Sequence, residues 1–128
     1  MELLLDTHAL IWFFNGDKQL PEKSVELIKN LDIRCHVSIA SIWEIAIKLS
    51  LKKLELNESF EEISKNMRLY EIELLPITFE HIQKLLTLEF FHNDPFDRII
   101  ISQGLVENLT IVTKDENFPK YSVKTVWK

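Results

Sequence analysis

Cysteine occurs once in these 128 residues, at Cys35, so no internal disulfide can staple the chain. The lone thiol lies in an apolar stretch and reads as a core residue in a reducing compartment. Glycine is nearly as scarce, with only Gly16 and Gly104, which excludes a glycine-rich phosphate loop. With four prolines and no low-complexity stretch or internal repeat, the loops are expected to be short. No uncharged apolar run approaches the roughly 20 residues of a membrane span. The first residues carry Glu2 and Asp6 and no basic stretch, unlike a signal peptide, so a cytoplasmic protein is expected. Basic residues are outnumbered, 15 against 20 acidic, and the formal net charge of −5 argues against a protein that coats nucleic acid. It leaves room for an enzyme that handles nucleic acid at a local site. Cys35, His8, His36, His81 and His92 have no zinc-ligand spacing, and no Ser-His-Asp elbow is visible.

What is present suits one globular domain spanning 1–128, at 46% hydrophobic and 27% charged residues. Leu3–Leu5 reads as a strand buried on both faces, because a half-exposed strand would alternate polar and apolar residues. A helix over Thr7–Phe14 follows, stopped by Asn15-Gly16. Its adjacent Trp12, Phe13 and Phe14 cannot all fit one narrow buried stripe, so this aromatic surface is either buried on several sides or meets a partner. Pro21 starts a second helix with Val25, Ile28 and Leu31 inward. A strand at Cys35–Ile39 leads into a helix over Ser41–Leu51. The capping-box pattern Ser59-x-x-Glu62 opens another, with Phe60, Ile63 and Met67 inward. Ile72–Leu75 is the third strand. Thr78 caps a helix through Leu88 with Ile82, Leu85 and Leu86 inside. A helix over Arg98–Glu107 precedes strands at Leu109–Thr113 and Val123–Val126. Helices between strands imply a parallel sheet covered on both faces.

Four acids recur at comparable places. Asp6 and Asp115 each follow a strand, while Glu44 and Asp97 each fall in the first turn of a helix. In parallel sheets, strand carboxyl ends and the starts of following helices share the edge where ligands bind. Each acid also has a local explanation. Asp6 can cap the first helix, Ser41-x-x-Glu44 scores as a capping box, Asp94 before Pro95 suits an N-cap with Asp97 favouring the helix dipole, and Asp115 suits a turn. Four at one edge are better explained together. Clustered carboxylates repel, and a hard cation such as Mg²⁺ or Mn²⁺ relieves them while keeping water sites open. Metal held by acids is the machinery of phosphodiester hydrolysis by an activated water. Arg98, Lys48 and Lys114 adjoin the acids in sequence and are candidates for RNA phosphate contacts, the alternative being ordinary solvated charge.

The segments Leu3-Leu4-Leu5-Asp6-Thr7-His8, Ser38-Ile39-Ala40-Ser41-Ile42-Trp43-Glu44, His92-Asn93-Asp94-Pro95-Phe96-Asp97-Arg98 and Val112-Thr113-Lys114-Asp115 resemble the PIN-domain ribonuclease toxins of bacterial toxin–antitoxin pairs, the VapC-like group. The resemblance runs from Met1 to Trp127. It implies a three-layer α/β/α domain with a central, mostly parallel five-stranded sheet, and Mg²⁺- or Mn²⁺-dependent cleavage of RNA. The family's acids carry over onto Asp6, Glu44, Asp97 and Asp115, with Asp6, Asp97 and Asp115 as metal ligands. Asp94, Thr7 and Thr113 match supporting positions. The implied partners are an RNA substrate, a cognate antitoxin and a second copy of the chain, with Trp12 and Phe14 as candidate partner surface. Lys52 and Gly104 depart from residues common in the family, away from the acids. Three alternatives stay open. They are an RNA-processing nuclease outside any toxin pair, a non-catalytic interaction module whose acids are helix caps, and a phosphoacceptor domain, which lacks a second acid beside Asp6.

Overall fold

A computed structural model describes residues 1–128. The five strands are β1 (Leu3–Leu5), β2 (Cys35–Ser38), β3 (Ile72–Leu75), β4 (Thr110–Val112) and β5 (Thr125–Val126). They form one sheet in the order β3-β2-β1-β4-β5, parallel at every pairing. The six helices are α1 (Thr7–Asn15), α2 (Glu22–Lys29), α3 (Ile39–Ser50), α4 (Glu61–Leu69), α5 (Phe79–Leu85) and α6 (Pro95–Glu107). No helix is long and apolar enough to cross a membrane.

The three leucines of β1 are fully buried, and they divide between two cores. Leu3 and Leu5 pack with Leu10 of α1, Ile28 of α2, Ile45 of α3 and Met67 of α4. Leu4 packs on the opposite face with Ile100 and Ile101 of α6, Phe118 and Tyr121. This is the side-chain alternation of a strand whose two faces are both covered, and it sets the three layers. The central position of β1 follows from register. Leu5 stands opposite Val37 on one side and Val112 on the other, so Ser38, Asp6 and Thr113 leave three neighbouring strands at the same level.

Several boundaries differ from the sequence-based expectation, each for a local reason. β2 stops at Ser38, whose side chain accepts from the Ala40 amide and caps α3. Ser41 is therefore inside the helix rather than at its start, and Glu44 lies in the second turn, not the first. The Ser59 pattern does not cap α4; Phe60 occupies the N-cap with no side-chain bond, and its ring is partly exposed. A capping box forms instead at Thr78, where His81 supplies the reciprocal acceptor for the Thr78 amide. The other ring nitrogen of His81 lies 2.8 Å from Glu107 Oε2, which ties α5 to α6. Pro95 opens α6 one turn earlier than Arg98, behind the Asp94 cap. Leu31 falls beyond the end of α2, and Ile82 and Leu86 lie on the outer side of α5, so all three are exposed rather than inward. A 3₁₀ turn over Phe118–Tyr121 has no counterpart in the expected elements.

The aromatic triplet resolves in favour of burial on several sides. Phe13 is buried against Tyr70, with ring centroids 4.9 Å apart, and Trp12 packs on Trp127 at 5.8 Å. Trp12 and Phe14 are half-buried along the larger core rather than fully exposed.

Two truncations separate core from surface. Leu5→Ala should cost about 2–5 kcal/mol in urea unfolding, because it leaves a cavity in a site without exposure. Leu31→Ala, at 68% exposure, should stay within about 0.5 kcal/mol. Equal losses would contradict the placement of Leu31 outside the core.

Candidate functional site

Asp6 leaves the carboxyl end of β1 and caps α1. Its side chain accepts from the Ala9 amide at 2.8 Å, and its own amide donates to the Val112 carbonyl of β4. The carboxyl is 5% exposed, and burial pushes it above the usual carboxylate range, against the opposing pull of the Thr113 hydroxyl, the Ala9 amide and His8. Asp115 adds a smaller push in the same direction, so the two acids feel each other's charge. They share one edge of the sheet. Thr113 is buried between them, and its hydroxyl also accepts from the Asp115 amide at 3.1 Å. Asp115 closes its own turn by accepting from the Asn117 amide at 2.8 Å.

Asp97 reaches the same edge from α6, where Asp94 caps its amide at 3.0 Å. Asp97, Asp115 and His92 each place one potential ligand atom within 4.8 Å of the others. The Asp97 carboxyl is pushed up to about 7, first by burial, then by Asp94, with a smaller contribution from Asp115; a bond from His92 opposes these. Crowded carboxyls at neutral pH favour either a proton or a cation.

The expected set therefore assembles only in part. Asp97 and Asp115 come together. Asp6 feels the charge of Asp115 but stands outside the tight group, and Asp94 is an exposed helix cap. Glu44 is held apart by its own network. Thr7 Oγ1 lies 2.7 Å from Glu44 Oε1 and 3.0 Å from Ser41 Oγ, while Lys48 Nζ lies 3.0 Å from Glu44 Oε2. With one hydrogen, the Thr7 hydroxyl donates to the carboxylate and accepts from Ser41. Lys48 is thus already paired, and Lys114 is exposed beside Asp115. Arg98 departs from its expected role as an RNA-facing cation. It is 5% exposed, its Nη1 donates to the Glu89 carbonyl and the Tyr121 hydroxyl, and Phe90 covers it with the ring centroid at 4.0 Å. Sequence reasoning missed His92 at the centre of the cluster, having tested histidines only for zinc spacing. Its place five residues before Asp97, across the Asp94-Pro95 turn, was the available signal.

Hard carboxylate oxygens beside one imidazole fit a divalent cation such as Mg²⁺ or Mn²⁺. The family model for the PIN domain matches residues 3–124. The chain belongs to the PIN-domain family. Comparison with curated proteins finds no match. Among solved structures, this PIN domain is similar to a chain in a VapBC2 complex from Rickettsia felis bound to a DNA fragment from their promoter. The identity is 17% and the TM-score 0.73 over 100% of both chains. A chain of FitAB bound to the IR36 DNA fragment gives 17% and 0.68, over 97% of this chain and 93% of that one. A toxin–antitoxin complex from Klebsiella pneumoniae gives 16% and 0.65, over 98% and 96%. At these identities the likeness is one of fold.

The raised carboxyl of Asp97 sets a pH dependence. The folded chain binds this proton more tightly than the unfolded chain, so its contribution to stability is present at pH 4 and is lost as pH rises towards 7. Asp97→Asn should flatten that part of the metal-free stability profile and raise the melting temperature at pH 7.5. A steeper profile in Asp97→Asn, read by thermal unfolding from pH 4.5 to 8, would reverse the assignment.

Proposed function

We propose that the chain is a divalent-metal-dependent endoribonuclease, the toxin of a cytoplasmic toxin–antitoxin pair. The observation that carries this reading is the grouping of Asp97 and Asp115 at the carboxyl edge of the central strands, with Asp6 linked to Asp115 through Thr113. It is supported by membership of the PIN family and by a fold shared with chains of toxin–antitoxin complexes. Asp97, Asp115 and Asp6 would hold Mg²⁺ or Mn²⁺. A cation there supplies positive charge to phosphate oxygens and makes nearby water more acidic. Thr113 keeps Asp6 and Asp115 in register. Glu44, with Thr7 on one oxygen and Lys48 on the other, is the fourth acid of the reading, set beside the Asp97–Asp115 group rather than in it. Lys48 and Lys114 are the cations for RNA phosphate, and Arg98 is no longer among them.

Asp6→Asn keeps the shape and the helix cap while removing a charge. It should lower RNA cleavage about a hundredfold or more, equivalent to roughly 3 kcal/mol of transition-state stabilisation. Chelation should silence the wild type and added Mn²⁺ or Mg²⁺ should restore it. Induction of the wild type, but not of Asp6→Asn, should arrest bacterial growth. Replacing Lys48 and Lys114 by Gln should weaken RNA binding and shallow its salt dependence. Chelator-resistant cleavage, or full activity in Asp6→Asn, would sink the proposed site.

The partner side of the reading is an antitoxin helix lying against Trp12 and Phe14, with an arginine directed at Asp6 and Asp97. Trp12 and Phe14 border an open groove with Leu20, Val25 and Tyr70, which suits an apolar helix face. An arginine fork matches a carboxylate pair and competes with a cation for it. Phe14→Ala should loosen the toxin–antitoxin complex at least tenfold with little effect on RNA cleavage. An unchanged complex would move the antitoxin to another surface. The reading also includes a homodimer, for which Phe79, Ile82 and Leu86 on the outer side of α5 offer apolar surface. Light scattering on the isolated chain checks it.

A further inference from the structure

His92 lies between the acids and Tyr121, and the hydrogens around Tyr121 can be counted. Tyr121 is 6% exposed at the end of the 3₁₀ turn. Its hydroxyl oxygen receives the backbone N–H of His92 at 3.2 Å and Nη1 of the buried Arg98 at 3.1 Å. A phenol has two acceptor positions and one hydrogen. Both acceptor positions are filled by obligate donors. Two groups can take the hydrogen, Nδ1 of His92 at 2.8 Å and the His92 carbonyl at 3.3 Å. The nearer is the ring nitrogen.

The tautomer of His92 follows. If Nδ1 accepts, a neutral imidazole carries its hydrogen on Nε2. That atom lies 3.1 Å from Asp97 Oδ2, so it donates to the carboxylate. A metal ligand commonly takes a hydrogen bond from a neighbour that fixes its orientation. Here the direction of each bond is set by Arg98, two side chains away from the acid. The chain of contacts runs from Arg98 to Tyr121, to His92, to Asp97. It also explains why the basic residue next to Asp97 is buried rather than at the surface.

We propose that Tyr121 and His92 are positioning residues that hold the Asp97 carboxylate for a divalent cation, with His92 acting as an Nε2–H donor and not as a nitrogen ligand. This rests on the metal-site reading given above. It goes further in assigning a role to two residues outside the acidic set, and in giving opposite answers for His92 as donor and His92 as ligand.

The first test is direct and needs no metal. Long-range ¹⁵N–¹H correlation spectra of the metal-free chain at pH 7.5 should show His92 as the Nε2–H tautomer. The Nδ1–H tautomer would overturn the inference. The second test is calorimetric titration with Mn²⁺, with circular dichroism to show that each variant is folded. His92→Leu should bind Mn²⁺ about 10–100-fold more weakly. His92→Gln, whose amide N–H can reach the same carboxylate oxygen, should recover most of that loss. Tyr121→Phe should weaken Mn²⁺ binding in the same direction, and if loss of the Arg98 partner unfolds it, the two His92 variants decide. A His92→Gln as weak as His92→Leu would make the ring nitrogen itself a ligand and overturn the proposal. Equal Mn²⁺ affinity in wild type and His92→Leu would overturn it too, while leaving the metal-site reading intact. A wild-type chain that binds no Mn²⁺ would instead end the metal-site reading, and this role for His92 with it.

Discussion

A carboxylate buried at the end of a strand with no exposed face is the constraint on which the rest depends. Leu3, Leu4 and Leu5 are covered on both sides, and the chain then places Asp6 at 5% exposure. Removing such a group from water costs several kcal/mol unless something compensates. The compensation is local and oriented. The Ala9 amide points at Asp6 from the first turn of α1, the positive end of that helix lies beneath it, and Thr113 donates from the neighbouring strand. None of this exists unless β1 is central. A strand at the edge of the sheet would lack either β2 with Ser38 or β4 with Thr113 at its side.

Helix capping and site formation are therefore one arrangement. Asp6 and Asp94 are true N-caps, and Asp115 closes a turn, as their local explanations required. Those roles set the backbone so that Asp97 and Asp115 meet at the strand ends, with Asp6 close enough to feel the charge of Asp115. The arrangement carries a penalty, seen in the raised carboxyls of Asp6 and Asp97, each of which feels Asp115. Helix amides and a single imidazole only partly offset it. In the function proposed here, such a site trades some stability for readiness to take a cation.

The fold was legible where periodicity and burial agree. The triple leucine of β1 and the apolar run of β2 have no comfortable alternative to a covered sheet, and Thr78 and Asp94 cap as their residue types favour. What was not legible depended on competition between neighbours. Ser38 and Ser41 are both acceptable caps, and register with β1 decides for Ser38, moving Glu44 into the second turn. Leu31, Ile82 and Leu86 look like inward residues by spacing, but short helices end or turn before they reach the core. The meeting of Asp97 with Asp115 at one edge was legible because strand ends and helix starts recur there. His92 was not, because its partners Tyr121 and Asp97 lie 29 and 5 residues away and meet it only through the 3₁₀ turn and the Pro95 helix start.

The fate of the nearby cations closes the electrostatic argument. Arg98 adjoins Asp97 in sequence, yet its guanidinium is buried under Phe90 and donates to Tyr121 and backbone carbonyls. Lys48 is paired to Glu44, Lys114 is exposed beside Asp115, and Lys120 reaches Asn117 in the same turn. The edge thus gathers Asp6, Glu44, Asp94, Asp97 and Asp115 beside the lysines Lys48, Lys114 and Lys120, within a chain whose formal net charge is −5. A polyanion approaching this edge meets more acidic than basic side chains. In the function proposed here, the divalent cation must therefore contribute to binding as well as to chemistry, because its two positive charges are the largest available at the edge. That makes the site's first ligand a condition for its second. In that reading the buried Arg98, Tyr121 and His92 hold one carboxylate still, and the geometry of Asp97 sets how tightly the cation, and through it the phosphate, would be held.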